Sequence, residues 1–445
     1  VQFQYLLSSG AQTPITVNVG PNTRWTENVD QDLNVQRNGS FAEDVSTIVS
    51  VDSTTTPKCS GVVAERPMYF RKVFGVSSGH DALGATHLGT SFYFADVASY
   101  STYRDFITIM NPGSSAANIT VNYYLSGTLQ GTDTLVVQPG TRGTISPTNC
   151  GCTTGAHVSA AVSSSQPVDV ELPSYFHNYS AGNAGSVSGA VVVIGAPAAS
   201  NDWRFAEGYI GGKFQEYILL SNFSAKAMNA SMMLEYDSGT TLTVPVQIGA
   251  LSTTRLDING ITALGSGAGT CSSPCNLTQN ISVEVTAASG SNFVAERQLY
   301  FHYNHVANGR SLSATGGTAI IGQSGAATTT SYSFAEGYTN VDYDEWLTLQ
   351  NPTASAETIY VTIVNGLGQS YSFPVNVGQK TRATVDLVQT VMANLCAPGA
   401  ASQCWEISMT VQTVNKGGAF VAERPIYFNA SGEAGGTVVV GYVGG

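Results

Sequence analysis

The segment Phe-Val-Ala-Glu-Arg-Pro-Ile-Tyr-Phe at 420–428 decides the fold, because the chain contains other copies of it. Near copies lie at 293–301 (Phe-Val-Ala-Glu-Arg-Gln-Leu-Tyr-Phe) and 62–70 (Val-Val-Ala-Glu-Arg-Pro-Met-Tyr-Phe). A degenerate copy, Val-Asp-Val-Glu-Leu-Pro-Ser-Tyr-Phe, spans 168–176 and has Leu172 in place of the arginine. Self-similarity of this kind indicates repeated structural units.

Three further motifs keep a fixed order around this segment. An opening motif occurs as Tyr-Phe-Ala-Asp, Arg-Phe-Ala-Glu-Gly-Tyr and Ser-Phe-Ala-Glu-Gly-Tyr at 93–96, 204–209 and 333–338. An apolar run ending in Asn-Pro follows it, as at 346–352, and then a Thr-Arg pair. The arginines of these pairs are Arg24, Arg142, Arg255 and Arg382. The spacing gives units of about 110–130 residues, the size of whole domains.

Within a unit, apolar and polar residues alternate with a period of two, as in Ile119–Leu125 and Ile281–Val285. This pattern, with turn residues about every ten positions, predicts an all-β chain: a tandem array of β-sandwich domains of immunoglobulin-like size. Leu387–Leu395 is the best candidate for a helical turn. The predicted divisions are an incomplete sandwich at 1–78, complete repeats at 79–185, 186–312 and 313–430, and a tail at 431–445.

The two ends of the chain do not match. Residues 1–8 align with a mid-domain strand, so the first domain lacks its opening strands. The chain ends on a small-residue strand of the kind that precedes each opening motif. We therefore expect Val438, Val439 and Val440 to form a donor strand that completes the first domain of another copy, in a head-to-tail homopolymer. The alternative is a longer polypeptide of which this is one stretch.

Composition narrows the function classes. The 445 residues carry a thinly spread net charge of −12 and no basic patch, which disfavours a nucleic-acid partner. No apolar run reaches the eighteen or so residues of a membrane-spanning helix, so no membrane span is expected. The 42% hydrophobic residues can build cores, which argues against disorder.

The seven cysteines indicate an oxidising compartment because their spacing is local and paired. Disulfides are expected between Cys271 and Cys275 and between Cys396 and Cys404, each closing a short loop. Of the remaining three, Cys59, Cys150 and Cys152, one is free, joined to another chain, or left over beside a Cys150–Cys152 ring.

The sequence contains only weak signals for catalytic or metal-binding residues. Gly-Val-Ser-Ser-Gly at 75–79, followed by His80 and Asp81, matches a hydrolase expression but lies in a Gly/Ser linker rather than a strand–turn–helix. His302 and His305 are more typical of exposed loop histidines than of a metal site. Weak calcium candidates are the acidic residues of two Asn-Val-Asp-x-Asp segments: Asp30, Asp32, Asp342 and Asp344. No cofactor and no catalytic residue is predicted.

The repeated charges favour a scaffold role. We expect the Thr-Arg arginines to meet the carboxylates of Glu207, Glu336 and their equivalents, across strands or domain boundaries. Glycosylation candidates are the Asn-x-Ser/Thr residues Asn38, Asn118, Asn178, Asn222, Asn229, Asn276, Asn280 and Asn429.

The whole motif series resembles tandem β-sandwich repeats of large secreted bacterial cell-surface proteins. The resemblance implies a cell-surface location and no enzymatic activity. The sequence thus predicts an extracellular structural subunit of a filament or surface coat, which binds copies of itself. Glycans or cell-surface polysaccharide are further candidate partners. Two alternatives remain open: an adhesin or carbohydrate-binding array, and an accessory region of a secreted hydrolase.

Overall fold

The computed structural model describes residues 1–34, 44–51, 61–152, 156–263, 270–272, 275–307, 309–325, 330–415 and 418–443. The regular structure of the described chain is mainly antiparallel β-strand, which confirms the predicted fold class. The alternation seen in the sequence becomes alternating burial: in Glu357–Asn365 every second side chain faces a core.

The strands fall into four groups along the chain. The first group contains β1 (Gln2–Leu7), β2 (Gly10–Ala11), β3 (Ile15–Thr16), β4 (Val45–Ser50), β5 (Glu65–Val73) and β6 (Val76–Leu83), with the short helix α1 (Val29–Asp32). The second contains β7 (Gly89–Val97), β8 (Ser99–Tyr100), β9 (Tyr103–Asp105), β10 (Ile107–Asn111), β11 (Ala117–Leu125), β12 (Thr128–Val137), β13 (Thr141–Ile145), β14 (Val158–Ser180) and β15 (Ser186–Ile194).

The third group contains β16 (Asp202–Phe205), β17 (Phe214–Asn222), β18 (Met228–Tyr236), β19 (Thr241–Ile248), β20 (Ser252–Asp257), α2 (Ile258–Ala263), β21 (Thr270–Cys271), β22 (Ile281–Ala287), β23 (Val294–Ala307) and β24 (Arg310–Ile321). The fourth contains β25 (Ser331–Phe334), β26 (Tyr343–Asn351), β27 (Glu357–Asn365), β28 (Ser370–Val377), β29 (Thr381–Asp386), α3 (Leu387–Asn394), α4 (Ser402–Trp405), β30 (Ile407–Thr413), β31 (Val421–Ala430), β32 (Glu433–Val440) and β33 (Tyr442–Val443). Helix α3 confirms the predicted helical turn.

The third and fourth groups have the same sandwich topology. In the third, one sheet has the order β16-β22-β18-β19-β21 and the other β20-β17-β23-β24. The fourth repeats this as β33-β25-β30-β27-β28 and β29-β26-β31-β32. In the second, β14 is long enough to serve both sheets. Each sandwich encloses its own apolar core.

The small-residue strands correct two sequence-based predictions. Each is the second arm of a hairpin with the preceding repeated motif: β6 with β5, β15 with β14, β24 with β23, and β32 with β31. The predicted divisions after residues 78, 185, 312 and 430 therefore fall inside or at the turn of a hairpin, and both arms of each hairpin belong to the domain of the repeated motif. Likewise Val438–Val440 are paired with β31 of their own domain, so the prediction of a free donor strand there is wrong.

These four hairpins form the centre of the molecule. Strand β24 packs against both β15 and β32, and β6 closes the circle by packing against the same two strands. Glycines make the approach possible: a Cβ at Gly316 would lie 3.2 Å from the Cα of Gly435, and a Cβ at Gly189 would lie 3.2 Å from the Cα of Gly316. The four domains therefore form a closed pseudo-fourfold ring instead of an extended array.

Candidate functional site

The Glu-Arg pair of the repeated motif joins neighbouring domains. Adjacent side chains on a strand point to opposite faces, so the glutamate and the arginine reach different neighbours. The arginine of one domain meets the glutamate of the next one: Arg66–Glu171 at 2.8 Å, Arg297–Glu423 at 2.7 Å and Arg424–Glu65 at 2.8 Å. The last pair links the fourth domain to the first, which closes the ring by ion pairs as well as by packing.

Leu172 occupies the arginine position in the second domain. At the boundary between the second and third domains, the repeated motif therefore supplies no arginine to pair with Glu296. Glu296 instead accepts a hydrogen bond from the amide of Gln298 (3.0 Å). Burial, followed by the nearby charge of Asp96, raises the pKa of Glu296 well above its ordinary value. A raised pKa favours the neutral carboxylic acid, which lessens the need for a cation beside this buried group.

The Thr-Arg arginines lie at the same domain boundaries. Arg24 pairs with Glu336 (3.0 Å) and with Glu406 (2.9 Å), again joining the first domain to the fourth. Arg382 donates to the carbonyl oxygen of Ala206 in the opening motif of the third domain, 3.4 Å away. The predicted meeting with an opening-motif carboxylate is thus confirmed for Arg24, whereas Arg382 contacts a backbone carbonyl of that motif.

The other two Thr-Arg arginines have different partners. Arg142 pairs with the exposed carboxylate of Asp44 at 2.7 Å. Arg255 lies over the ring of Tyr217, 3.4 Å from its centroid, and donates to the hydroxyl of Tyr179 (3.2 Å). For these two, the prediction of a direct ion pair with an opening-motif carboxylate is wrong.

Buried carboxyl groups at these boundaries predict a pH-dependent stability. Glu235 accepts a hydrogen bond from Gln350 of the next domain (2.8 Å), and burial raises its pKa from 4.5 to about 8. Between these values the folded chain keeps a proton that the unfolded chain releases. Each such group therefore lowers the free energy of unfolding by about 1.4 kcal/mol per pH unit as pH rises through that window.

We expect the melting temperature to fall between pH 5 and pH 8, and to fall less steeply in Glu235→Gln, which keeps the shape without the titration. Thermal unfolding followed by circular dichroism at a series of pH values measures both slopes. Parallel curves for the two proteins would contradict the assignment.

The first domain differs from the others at two strand edges. In the third and fourth domains β23 and β31 are each paired on both sides, with β17 and β24 and with β26 and β32. Among the described residues, β5 is paired with β6 only and β4 with β1 only. Strand β1 takes the place of β27, as the alignment of residues 1–8 with a mid-domain strand predicted. Within its described residues, the first domain has no counterparts of β25 and β26.

The open edge exposes residues that are buried elsewhere. Tyr69 of β5 is 48% exposed, whereas its counterparts Tyr300 and Tyr427 are 2% and 4% exposed. The side chain of Arg66 is 37% exposed, against 0% for Arg297 and Arg424. The same sequence motif is therefore a core strand in two domains and half of an unfinished sheet in the first.

The weak metal candidates do not come together. Asp32 accepts a hydrogen bond from the hydroxyl of Tyr5, and Asp30 is exposed on α1. Asp344 accepts hydrogen bonds from Tyr303 and His305, both at 3.0 Å, while the neighbouring Asp342 is exposed. In the described part of the chain no group of three or more His, Cys, Asp or Glu residues could hold a metal ion.

The Gly-x-Ser-x-Gly match spans the turn and the second arm of the β5–β6 hairpin, not a strand–turn–helix. His80 is buried, and desolvation lowers its pKa to about 3. Asp81 pairs with Arg424 at 2.7 Å. The other histidine candidate, His302, lies 3.1 Å from the carbonyl oxygen of Ser186. These contacts assign the segment to the centre of the ring.

Three cysteine pairs are bonded in the described residues: Cys150–Cys152, Cys271–Cys275 and Cys396–Cys404. Both predicted disulfides are confirmed, and the neighbouring Cys150 and Cys152 form the third. Cys59, the remaining cysteine, lies outside the described residues.

The prediction of Asn222 as a glycosylation candidate is wrong. This residue is fully buried, and its amide donates to the carbonyl oxygens of Lys226 (2.7 Å) and Gly249 (2.9 Å), which fixes the turn after β17. Its counterparts Asn111 and Asn351 make the same two kinds of contact. Asn38 lies outside the described residues, and the exposed candidates are Asn118, Asn178, Asn229, Asn276 and Asn429, with Asn280 half-buried.

Comparisons with known proteins leave the family open. No family model and no curated protein matches the chain. The crystal structure of Thermotoga maritima 1070 is similar over 26% of this chain and 95% of its own, with 14% identity and a TM-score of 0.21. Dimeric latent PorU from Porphyromonas gingivalis matches over 80% of this chain and 34% of its own, with 10% identity and a TM-score of 0.15. Neither likeness carries an argument about function.

No helix among the described residues is long and apolar enough to cross a membrane.

Proposed function

We propose that this protein is a non-catalytic structural subunit of an extracellular filament or surface coat, and that it joins its neighbour through the open edge of the first domain. The observation that carries the proposal is the contrast between β5 and its counterparts β23 and β31. Among the described residues β4 and β5 each leave the backbone groups of one edge unpaired, and such edges are templates for further strands. Strand addition satisfies these groups and buries the exposed side chains in one step.

Two other features support the proposal. The inter-domain ion pairs and the glycine-packed centre make the four domains one unit, which suits a subunit that bears load. The three disulfides fit an extracellular location. Because Val438–Val440 are used within their own domain, the joining segment has to be different from the one predicted from the sequence.

The test compares the native secreted protein with a self-completed variant. The variant carries a copy of residues 330–358, which contain β25 and β26, fused directly before Val1. This junction is chosen because β1 occupies the position of β27, the strand that follows β26 in the fourth domain. Negative-stain electron microscopy and light scattering report the assembly state. We expect filaments or sheets from the native chain and single particles from the variant.

The matched control is the same fusion with Ala335→Pro in the fused copy only. Proline removes the backbone N–H that the opening motif donates. This fusion should leave the edge open and assembly intact. Single particles from the native chain at every concentration, or filaments from the correctly filled variant, would overturn the proposal.

A further inference from the structure

The completed domain boundaries show what the opening motif contributes. Its alanine donates a backbone hydrogen bond to the repeated glutamate of the next domain: Ala206 to Glu423 at 2.9 Å and Ala335 to Glu65 at 2.8 Å. The carbonyl oxygen of the following residue accepts from the repeated arginine of the same domain, as Glu207 does from Arg297 at 2.7 Å. An opening motif is thus held by one acceptor and one donor that both come from repeated Glu-Arg pairs.

The phenylalanine of the motif adds a third contact. The guanidinium of Arg297 lies over the ring of Phe205, and that of Arg424 over the ring of Phe334, both 5.6 Å from the ring centroid. This contact combines apolar burial with the attraction between a cation and an aromatic face. The ring thereby contributes to the burial of the arginine.

At the open edge the corresponding partners are present, and no opening motif contacts them among the residues that the structure describes. Glu171 is the repeated glutamate that faces the first domain, and it is paired with Arg66. The Nε of Arg66 is buried and has no hydrogen-bond partner among the described residues. Arg142, which corresponds to Arg24 and Arg382, pairs with an Asp44 side chain that is 74% exposed. The acceptor, the donor and the cation that hold an opening motif elsewhere are therefore all in place.

The register of the complete domains defines the sequence that fits. In the fourth domain Phe334 lies opposite Met409 of β30, and Leu349 lies opposite Ala422 of β31. Thr47 of β4 corresponds to Met409, and Ala64, just before β5, corresponds to Ala422. In strands added to the first domain, the phenylalanine would therefore lie opposite Thr47 and the leucine opposite Ala64.

We propose that the open edges of β4 and β5 bind a partner polypeptide that supplies two consecutive strands, the first with the sequence Phe-Ala-Glu/Asp-Gly and the second apolar and ending in Asn-Pro. The inference deepens the proposed function and rests on it, because it names the chemistry of the joining segment. The terminal strand Val438–Val440 does not fit, since it contains neither the phenylalanine nor the carboxylate.

The probe is a fluorescent peptide with the sequence of residues 330–353, which contains one such strand pair. Titration with the intact chain, followed by fluorescence anisotropy, should show saturable binding with one peptide per chain. Replacing the peptide glutamate by glutamine, as in Glu336→Gln, should weaken binding about ten-fold, the effect of one charge-assisted contact. Arg142→Met in the chain should have a similar effect, and the two changes together should be less than additive.

Arg71→Met is the matched control, because Arg71 is an exposed arginine of β5 whose ion pair is with Glu433. It should leave peptide affinity unchanged. Absence of binding by the unmodified peptide, or equal affinity for the glutamate and glutamine peptides, would overturn the inference.

The two proposals fail separately. Filaments of the native chain together with no peptide binding would overturn the partner chemistry and leave the structural role standing. Specific peptide binding without assembly of the native chain would support the site and overturn the filament or coat function.

Discussion

Replacing Arg424 by leucine should lower the free energy of unfolding by about 3–5 kcal/mol, the usual loss when one partner of a buried charge pair is removed. Arg424 is fully buried, and its guanidinium pairs with Glu65 (2.8 Å) and Asp81 (2.7 Å) of the first domain. Leucine would leave these two carboxylates without a cation in the centre of the ring. Urea denaturation followed by tryptophan fluorescence and circular dichroism measures the loss.

Arg66→Leu is the matched control. Arg66 occupies the same position in the motif, but its side chain is 37% exposed and it pairs with a single glutamate. Water can solvate the glutamate carboxylate that the substitution leaves without a cation. The loss in free energy of unfolding should therefore be markedly smaller than for Arg424→Leu. Equal losses for the two variants would contradict the view that ring closure depends on the enclosed pair.

Replacing Gly316 by valine should cost about 1–3 kcal/mol and loosen the contact between the third and fourth domains. A Cβ at this position would lie 3.2 Å from the Cα of Gly435 and 3.3 Å from the Cζ of Phe301. The first neighbour is backbone, which cannot rotate away, and the γ-methyl groups of valine would extend further into the same space. Denaturation measures the cost, and small-angle X-ray scattering should show a larger radius of gyration.

Ser313→Val tests whether valine itself is the cause. Ser313 lies on the same strand with an exposed side chain, so the change introduces the same residue away from the centre. Its free energy of unfolding and radius of gyration should stay close to those of the unmodified protein. A compact, fully stable Gly316→Val chain would show that the hairpins do not meet as described.

Much of the fold could be predicted because it is encoded locally. Alternation along the strands follows from one face meeting a core, and it gave the all-β class correctly. The Cys271–Cys275 and Cys396–Cys404 bridges followed from loop length, and α3 from an apolar run that begins after Asp386, whose side chain caps the helix. The expected pair between a Thr-Arg arginine and an opening-motif carboxylate is found for Arg24 and Glu336, across a domain boundary.

The errors have a common physical cause. A strand of Gly, Ala and Val has no side-chain pattern that identifies the sheet it joins, so the sequence does not assign β6, β15, β24 and β32 to the correct domains. The residues that meet at the centre, Ser78, Gly189, Gly316 and Gly435, each lie opposite the phenylalanine of the repeated motif. Their distance along the chain from that phenylalanine varies with the hairpin turn, which hides the equivalence in the sequence.

By itself the sequence determined the strand content and the repeat, because these depend on residues within one motif or on motifs that recur. Only the tertiary structure decided that the domains form a ring, that Val438–Val440 stay in their own sheet, and that β4 and β5 carry the open edges. Those outcomes depend on which backbones can approach closely enough to pack, and that is set by the contact between strands far apart in the chain.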